Sequence, residues 1–114
     1  GVSFIGGGAW QPESSQLKKI RQEIDYNGDA FLKIVNDKKF KAQFTQLMRD
    51  HKLVNPPKGY DKTHPQIEYL KLNSFVAGTD FDDAEVLHPS FAKSIINCYK
   101  TIHPFINFLN TAIS

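Results

Sequence analysis

Apolar residues recur along this chain with two different periods, and the points where the period changes mark its elements. Val2-Ser3-Phe4-Ile5 alternates as a short strand. The glycines at 6–8 that follow permit positive φ, a bulge or a close backbone approach. Ala9-Trp10-Gln11-Pro12 ends that strand, with Trp10 read as cover for the core. From Glu13-Ser14-Ser15 the period becomes helical, with a serine available as N-cap and Leu17, Ile20 and Ile24 on one face. Arg21 sits beside that stripe, placed to reach over the helix edge to a carboxylate. Asn27-Gly28 stops the helix and Asp29 caps the next, whose buried face is Phe31, Leu32, Ile34 and Val35. A third helix is expected from Lys38, with Phe40, Phe44, Leu47 and Met48 spaced i, i+4, i+7, i+8.

Lys52-Leu53-Val54 is short and extended, and it leads into the stretch around which the chain is organised, Pro56-Pro57-Lys58-Gly59-Tyr60-Asp61-Lys62-Thr63-His64-Pro65. Three prolines fix φ and withhold backbone donors, so this path is neither helix interior nor central strand. A two-turn amphipathic piece follows, with Ile67, Tyr69 and Leu70, ending near Asn73. Ser74 to Gly78 has strand composition, and Thr79-Asp80-Phe81-Asp82-Asp83 reads as an acidic turn whose Asp82 or Asp83 caps a short helix through Leu87. His88-Pro89 opens the last helical pattern, from Phe91 through Ile95, Cys98, Ile102, Phe105 and Leu109 to Ile113. Proline lacks the N–H and clashes with the preceding turn, so Pro104 is expected to break this helix in two. The fold class that results is α+β, mostly helical, with two or three short strands packed against several helices and the last helix broken at Pro104.

A chain of 114 residues holds one compact domain. It starts at Gly1 in strand-like sequence, which suggests a domain cut from something longer or a processed product. No apolar run approaches the ~20 residues of a membrane span. The lone Cys98 rules out an internal disulfide and points to the cytoplasm. Charge is uneven: residues 38–71 carry eight Lys/Arg against three Asp/Glu, and the remainder six against nine. Such a segment attracts anions, but no nucleic-acid motif accompanies it, and a dispersed surplus neutralises too few phosphates for firm binding.

The histidines His51, His64, His88 and His103 form no HxxxH or HExxH pair, so no metal and no cofactor is expected. Cys98 and His103 lie about 140° apart on a helix and do not face one another. Asp80, Asp82, Asp83 and Glu85 lack the glycine and terminal glutamate of a calcium loop, and capping explains them better. The proline-rich loop keeps the candidate chemistry. Lys58 offers charge, Gly59 a bare backbone, Tyr60 a ring with a hydroxyl, and Asp61 an orienting partner for His64. Arg21 and Lys71 are long enough to join if their helices flank the loop. The expected ligand is a small anionic or polar group. An enzyme of hydrolase or transferase type with its other groups in a missing N-terminal half, and a purely structural half-domain, are the alternatives. The opening strand, an edge that recruits other chains, predicts pairing with that half or self-association.

Phe4-Ile5-Gly6-Gly7-Gly8-Ala9-Trp10-Gln11-Pro12, Leu17-Lys18-Lys19-Ile20-Arg21, Pro57-Lys58-Gly59-Tyr60-Asp61, His64-Pro65, Ser74-Phe75 and Pro104-Phe105-Ile106-Asn107-Phe108-Leu109 together carry a resemblance. The chain resembles the C-terminal half of a bacterial family labelled domain of unknown function 2461. Two positions depart from its pattern: Met48-Arg49-Asp50-His51 stands where a glycine-containing turn is expected, and Asn73 where a lysine is expected. The resemblance implies no activity.

Overall fold

The computed structural model describes residues 2–44, 46–47 and 52–114. Strand β1 (Val2–Ala9) is followed by helices α1 (Ser14–Tyr26), α2 (Gly28–Val35) and α3 (Lys38–Gln43), then by the two-residue strand β2 (Gln46–Leu47). One helical turn, α4 (Ile67–Leu70), precedes strand β3 (Phe75–Asp82), the short helix α5 (Asp83–Leu87) and the long helix α6 (Phe91–Ile113). The sheet is antiparallel with strand order β1-β3-β2. The α+β, mostly helical reading holds.

β1 is longer than the Val2–Ile5 strand expected, because the glycines are part of it. They are needed there for proximity. A Cβ at Gly8, where φ is +137°, would lie 1.9 Å from the Phe75 carbonyl oxygen. One at Gly78 would lie 2.1 Å from the Phe4 ring, which spreads over the glycines on the outer sheet face. β3 likewise runs through the segment expected to be an acidic turn. It pairs with β1 residue for residue from Ala9↔Phe75 to Val2↔Asp82, and alternation puts Phe81 in the core while Asp80 and Asp82 face water. A strand with one wet face tolerates carboxylates there.

Pro104 does not break the last helix, contrary to expectation: α6 continues from Phe91 to Ile113 with Pro104 inside. The reason is its side. Pro104 and Lys100, the residue four back whose carbonyl loses its partner, are both exposed, so water can satisfy that carbonyl. Ile102 and Phe105, on either side of the proline, are anchored in the core and carry the helix across it.

Smaller boundaries also differ. Glu13, not a serine, is the N-cap of α1, and Asn27 rather than Asp29 caps α2, with Asp29 in its first turn. Asp37 caps α3 by accepting from the amides of Lys39 and Phe40. That helix ends at Gln43, so Leu47 belongs to β2, and Met48 lies outside the described residues. α4 is one turn, not two. Asp82 caps α5 as expected, in a reciprocal capping box with Glu85. α6 has Ser90 as its N-cap, two residues beyond His88.

The core lies between the inner sheet face and the helices. Ile20 and Ile24 from α1, Phe31 from α2 and Phe105 from α6 are fully enclosed, with Phe75 and Ala77 from β3 beneath them. Phe31 meets Tyr69 at 5.1 Å and Phe108 at 5.2 Å between ring centroids, joining three elements. Each such buried ring contributes roughly 1.5–3 kcal/mol. The outer face of that core, where α1 meets the 56–66 segment, is where the candidate site lies.

Candidate functional site

Two consecutive turns shape the proline-rich loop. The Tyr60 amide donates to the Pro57 carbonyl at 3.1 Å, and Gly59 inside that turn has φ of +95°. This is the positive φ that a type II turn requires at its third position, so glycine is the residue that fits. The His64 amide then donates to the Asp61 carbonyl at 3.0 Å, and Asp61 Oδ1 accepts from the Thr63 amide at 3.0 Å. Asp61 is thus drawn back onto its own backbone as an Asx turn.

Asp61 is therefore not the partner that orients His64, as the sequence suggested. His64 Nε2 lies 2.6 Å from Asp25 Oδ1 on α1. Its Nδ1 accepts from the Gln66 amide at 3.0 Å. An imidazole that accepts at Nδ1 carries its proton on Nε2 and donates it to the carboxylate. Gln66, two residues on, is buried and lies against Gly28, where a Cβ would stand 2.8 Å from its side chain. The loop is pinned to the α1–α2 corner at its C-terminal end and by buried Pro57 at its start.

Arg21, one helical turn before Asp25, also faces this side. Among the described residues its hydrogen bonds go to carbonyl and amide oxygens rather than to the carboxylate expected. Its Nε donates to the Leu70 carbonyl at 2.7 Å, and its Nη2 to the Leu72 carbonyl at 3.2 Å and to Asn73 Oδ1 at 2.9 Å. These carbonyls lie at the end of α4 and just past it, where a helix leaves acceptors unpaired. The amide of Asn73 accepts here, which a lysine at that position cannot do. Burial lowers the pKa of the guanidinium, partly offset by Tyr60.

Tyr60 stands over this corner, its ring 5.9 Å from that of His64 in an edge-on arrangement. Its phenol is pushed up by burial first and by Asp25 second, against a downward pull from Arg21. It therefore stays a neutral hydroxyl well into alkaline solution. Lys58, Gly59 and Asp61 are exposed, and Lys71 is half-buried between the two residues whose carbonyls hold Arg21. So Arg21, Tyr60 and His64 come together at one corner, with Lys58, Gly59 and Asp61 along the outer rim of the loop. Sequence reasoning missed Asp25, Gln66 and Asn73. Only Asp25 had a signal, its i+4 spacing from Arg21.

A second cleft of about 330 Å³ opens between β3, α5 and the start of α6, lined by Phe81, Asp82, Glu85, His88, Ser90 and Phe91. Its polar groups serve local structure. Asp82 and Glu85 cap one another's backbone, and His88 Nδ1 takes the Ser90 amide at 3.1 Å and lies 2.7 Å from its hydroxyl. Cys98 is 1% exposed, and burial pushes its thiol up, so it is core and not a nucleophile. No helix among the described residues is long and apolar enough to cross a membrane.

No curated protein and no solved structure matches the chain. A family model does, over residues 1–108, a span that includes β1, the Pro57–Tyr60 turn, His64 and its clamp on α1. The chain belongs to that family, the conserved hypothetical proteins DUF2461.

Proposed function

We propose that the loop from Pro57 to Gln66, seated on α1, is a binding site for a small anionic group such as a phosphate or a carboxylate, and that the protein is a cytoplasmic binding module. The observation that carries this reading is a contrast within the loop: its ends are fixed while its tip is open. Pro57 and Gln66 are buried and His64 is tied to Asp25. At the tip, a Cβ added to Gly59 would meet nothing within 4 Å, so that side of the backbone is free for a ligand. Lys58 precedes it, exposed, and Lys62 follows on the same rim. Tyr60, kept neutral, supplies a hydroxyl donor behind them. Side chains on a fixed frame lose little entropy on binding, which favours affinity from few contacts.

In this reading Arg21 and His64 support the loop, and Lys71 contributes charge from behind it. Both ring nitrogens of His64 are occupied, which favours binding over proton transfer by this residue. The test is chemical-shift mapping with inorganic phosphate and with acetate at millimolar concentration. Saturable shifts of the Lys58–Thr63 amides, weakened several-fold in Lys58→Ala, are expected. Amides in this segment that stay unmoved by both anions would overturn the reading.

A further inference from the structure

His64-Pro65-Gln66 and His88-Pro89-Ser90 fold into the same turn. In each, the histidine carbonyl accepts from the amide three residues on, that of Ile67 at 3.1 Å and that of Phe91 at 3.0 Å. In each, the histidine Nδ1 accepts from the amide two residues on, at 3.0 Å from Gln66 and 3.1 Å from Ser90. A backbone amide can only donate, so each Nδ1 carries no proton. An imidazolium is protonated on both nitrogens, and N–H would then face N–H. The turn as it stands requires a neutral ring.

The two turns differ in what lies beyond the ring. His88 is exposed, and the bonds of its ring stay within its own turn, to the amide and hydroxyl of Ser90. The His64 side chain is 16% exposed, and its Nε2 bonds Asp25 across the loop seat. Gln66 is buried, so its amide finds little water in exchange for Nδ1. Arg21, one turn before Asp25, is spent on Leu70, Leu72 and Asn73. Tyr60 meets the ring edge-on as a neutral phenol, and the Asp61 carboxylate is held by the Thr63 amide. Lys58 and Lys62 stand on the exposed rim. Among the described residues, Asp25 is therefore the charge in contact with this imidazole. Its field reaches the loop, since it raises the Tyr60 phenol, second to burial.

We propose that His64 is a proton-operated latch that regulates the anion site of the Lys58–Thr63 loop. Neutral, it holds the Gln66 amide and leaves the Asp25 charge uncompensated beside the loop, which opposes an anion. Protonated, it keeps Asp25 as an ion pair, lets go of Gln66 and cancels that negative charge, which strengthens anion binding. The proposal rests on the reading of this loop as an anion site.

NMR titration of the chain between about pH 8 and about pH 5.5, first without ligand and then with sulfate, tests this. Sulfate is the probe because its charge is constant over that range. Without ligand, the Gln66 amide is expected to shift with the same midpoint as the His64 ring nitrogens. Sulfate is expected to bind the Lys58–Thr63 amides at least about threefold more tightly at the lower pH. Asp25→Asn still offers Nε2 an acceptor but no charge, and should show the tighter affinity already at about pH 8. His64→Gln should abolish the Gln66 midpoint, while the Ser90 amide still titrates with His88 and shows that the variant is folded. A Gln66 amide that ignores the His64 midpoint would overturn the proposal. So would a sulfate affinity equal at both pH values, or one that follows pH unchanged in His64→Gln. Sulfate that moves no loop amide at either pH would instead overturn the binding reading and the charge effect with it, while the ligand-free Gln66 titration still decides the latch.

Discussion

His64 and Asp25, far apart in the chain, meet at 2.6 Å through Nε2 and Oδ1, and this contact holds the proline-rich loop on α1. Asp25 is partly exposed and His64 less so, so the bond competes with water on one side only. A double-mutant cycle with Asp25→Asn and His64→Gln is expected to give a coupling of about 1 kcal/mol in denaturant unfolding. Coupling indistinguishable from zero would mean that the loop is held by Pro57 and Gln66 without it.

Two glycines with positive φ provide a contrast. At Gly8 an added methyl strikes the Phe75 carbonyl, whereas at Gly59 it meets open space. Gly59→Ala therefore carries only the backbone penalty, about 1 kcal/mol. Gly8→Ala adds a clash with the paired strand and is expected to cost more than about 2 kcal/mol. Thermal melts of the two variants separate the cases, and equal losses would contradict the close approach of β1 and β3.

Pro104 offers a gain. An exposed proline inside a continuous helix leaves the Lys100 carbonyl without its helical partner. Pro104→Ala restores that bond and removes the ring clash. It is expected to stabilise the chain by about 1–3 kcal/mol, measured as a rise in denaturant midpoint at constant slope. Loss of stability would show that the proline's contribution outweighs the missing bond.

Alkaline solution is expected to weaken the fold. The pKa values of Cys98 and Tyr60 are both raised, burial being the leading cause. A folded-state value above the unfolded one means the native chain holds the proton more tightly. The stability so contributed is complete below the unfolded pKa and is lost as pH rises through the folded one. The decline should begin near pH 8.5–9 for the thiol and near pH 10 for the phenol, by their ordinary values. Arg21, lowered by burial, acts in the opposite sense at higher pH still. Unfolding free energies from pH 7 to 11 check this, and Tyr60→Phe should flatten the part above about pH 10.

Most of the architecture was legible because it rests on local period and capping. The apolar stripes of α1 and α2, the Asp82 cap and the inert Cys98 are all written within one or two turns of chain. What was not legible depends on partners distant in sequence. Nothing around Asp80 and Asp82 says that β1 will pair there and turn an acidic segment into strand. Nothing beside Pro104 says that its side of α6 faces water. In the site, Asp61 is the near neighbour of His64 in sequence, yet its backbone claims it first, and Asp25 arrives from another helix. Arg21 was visible as a long side chain at a helix edge, but two of its three partners are backbone carbonyls, which every residue carries and no pattern marks.

The register of β1 with β3 also bears on how the chain reaches this state. Its first and last strands of any length pair from Ala9↔Phe75 outward, so α1, α2, α3 and the proline-rich loop all lie within the closed span. The entropy of closing such a span rises with its length and is lost before any ladder bond compensates it. The helices therefore collapse first, on rings such as Phe31 and Phe105, and shorten the distance that β1 must search. A strand that docks last onto a preformed surface is also released first in local opening. In refolding, amide protection should appear in α6 before it appears in β1.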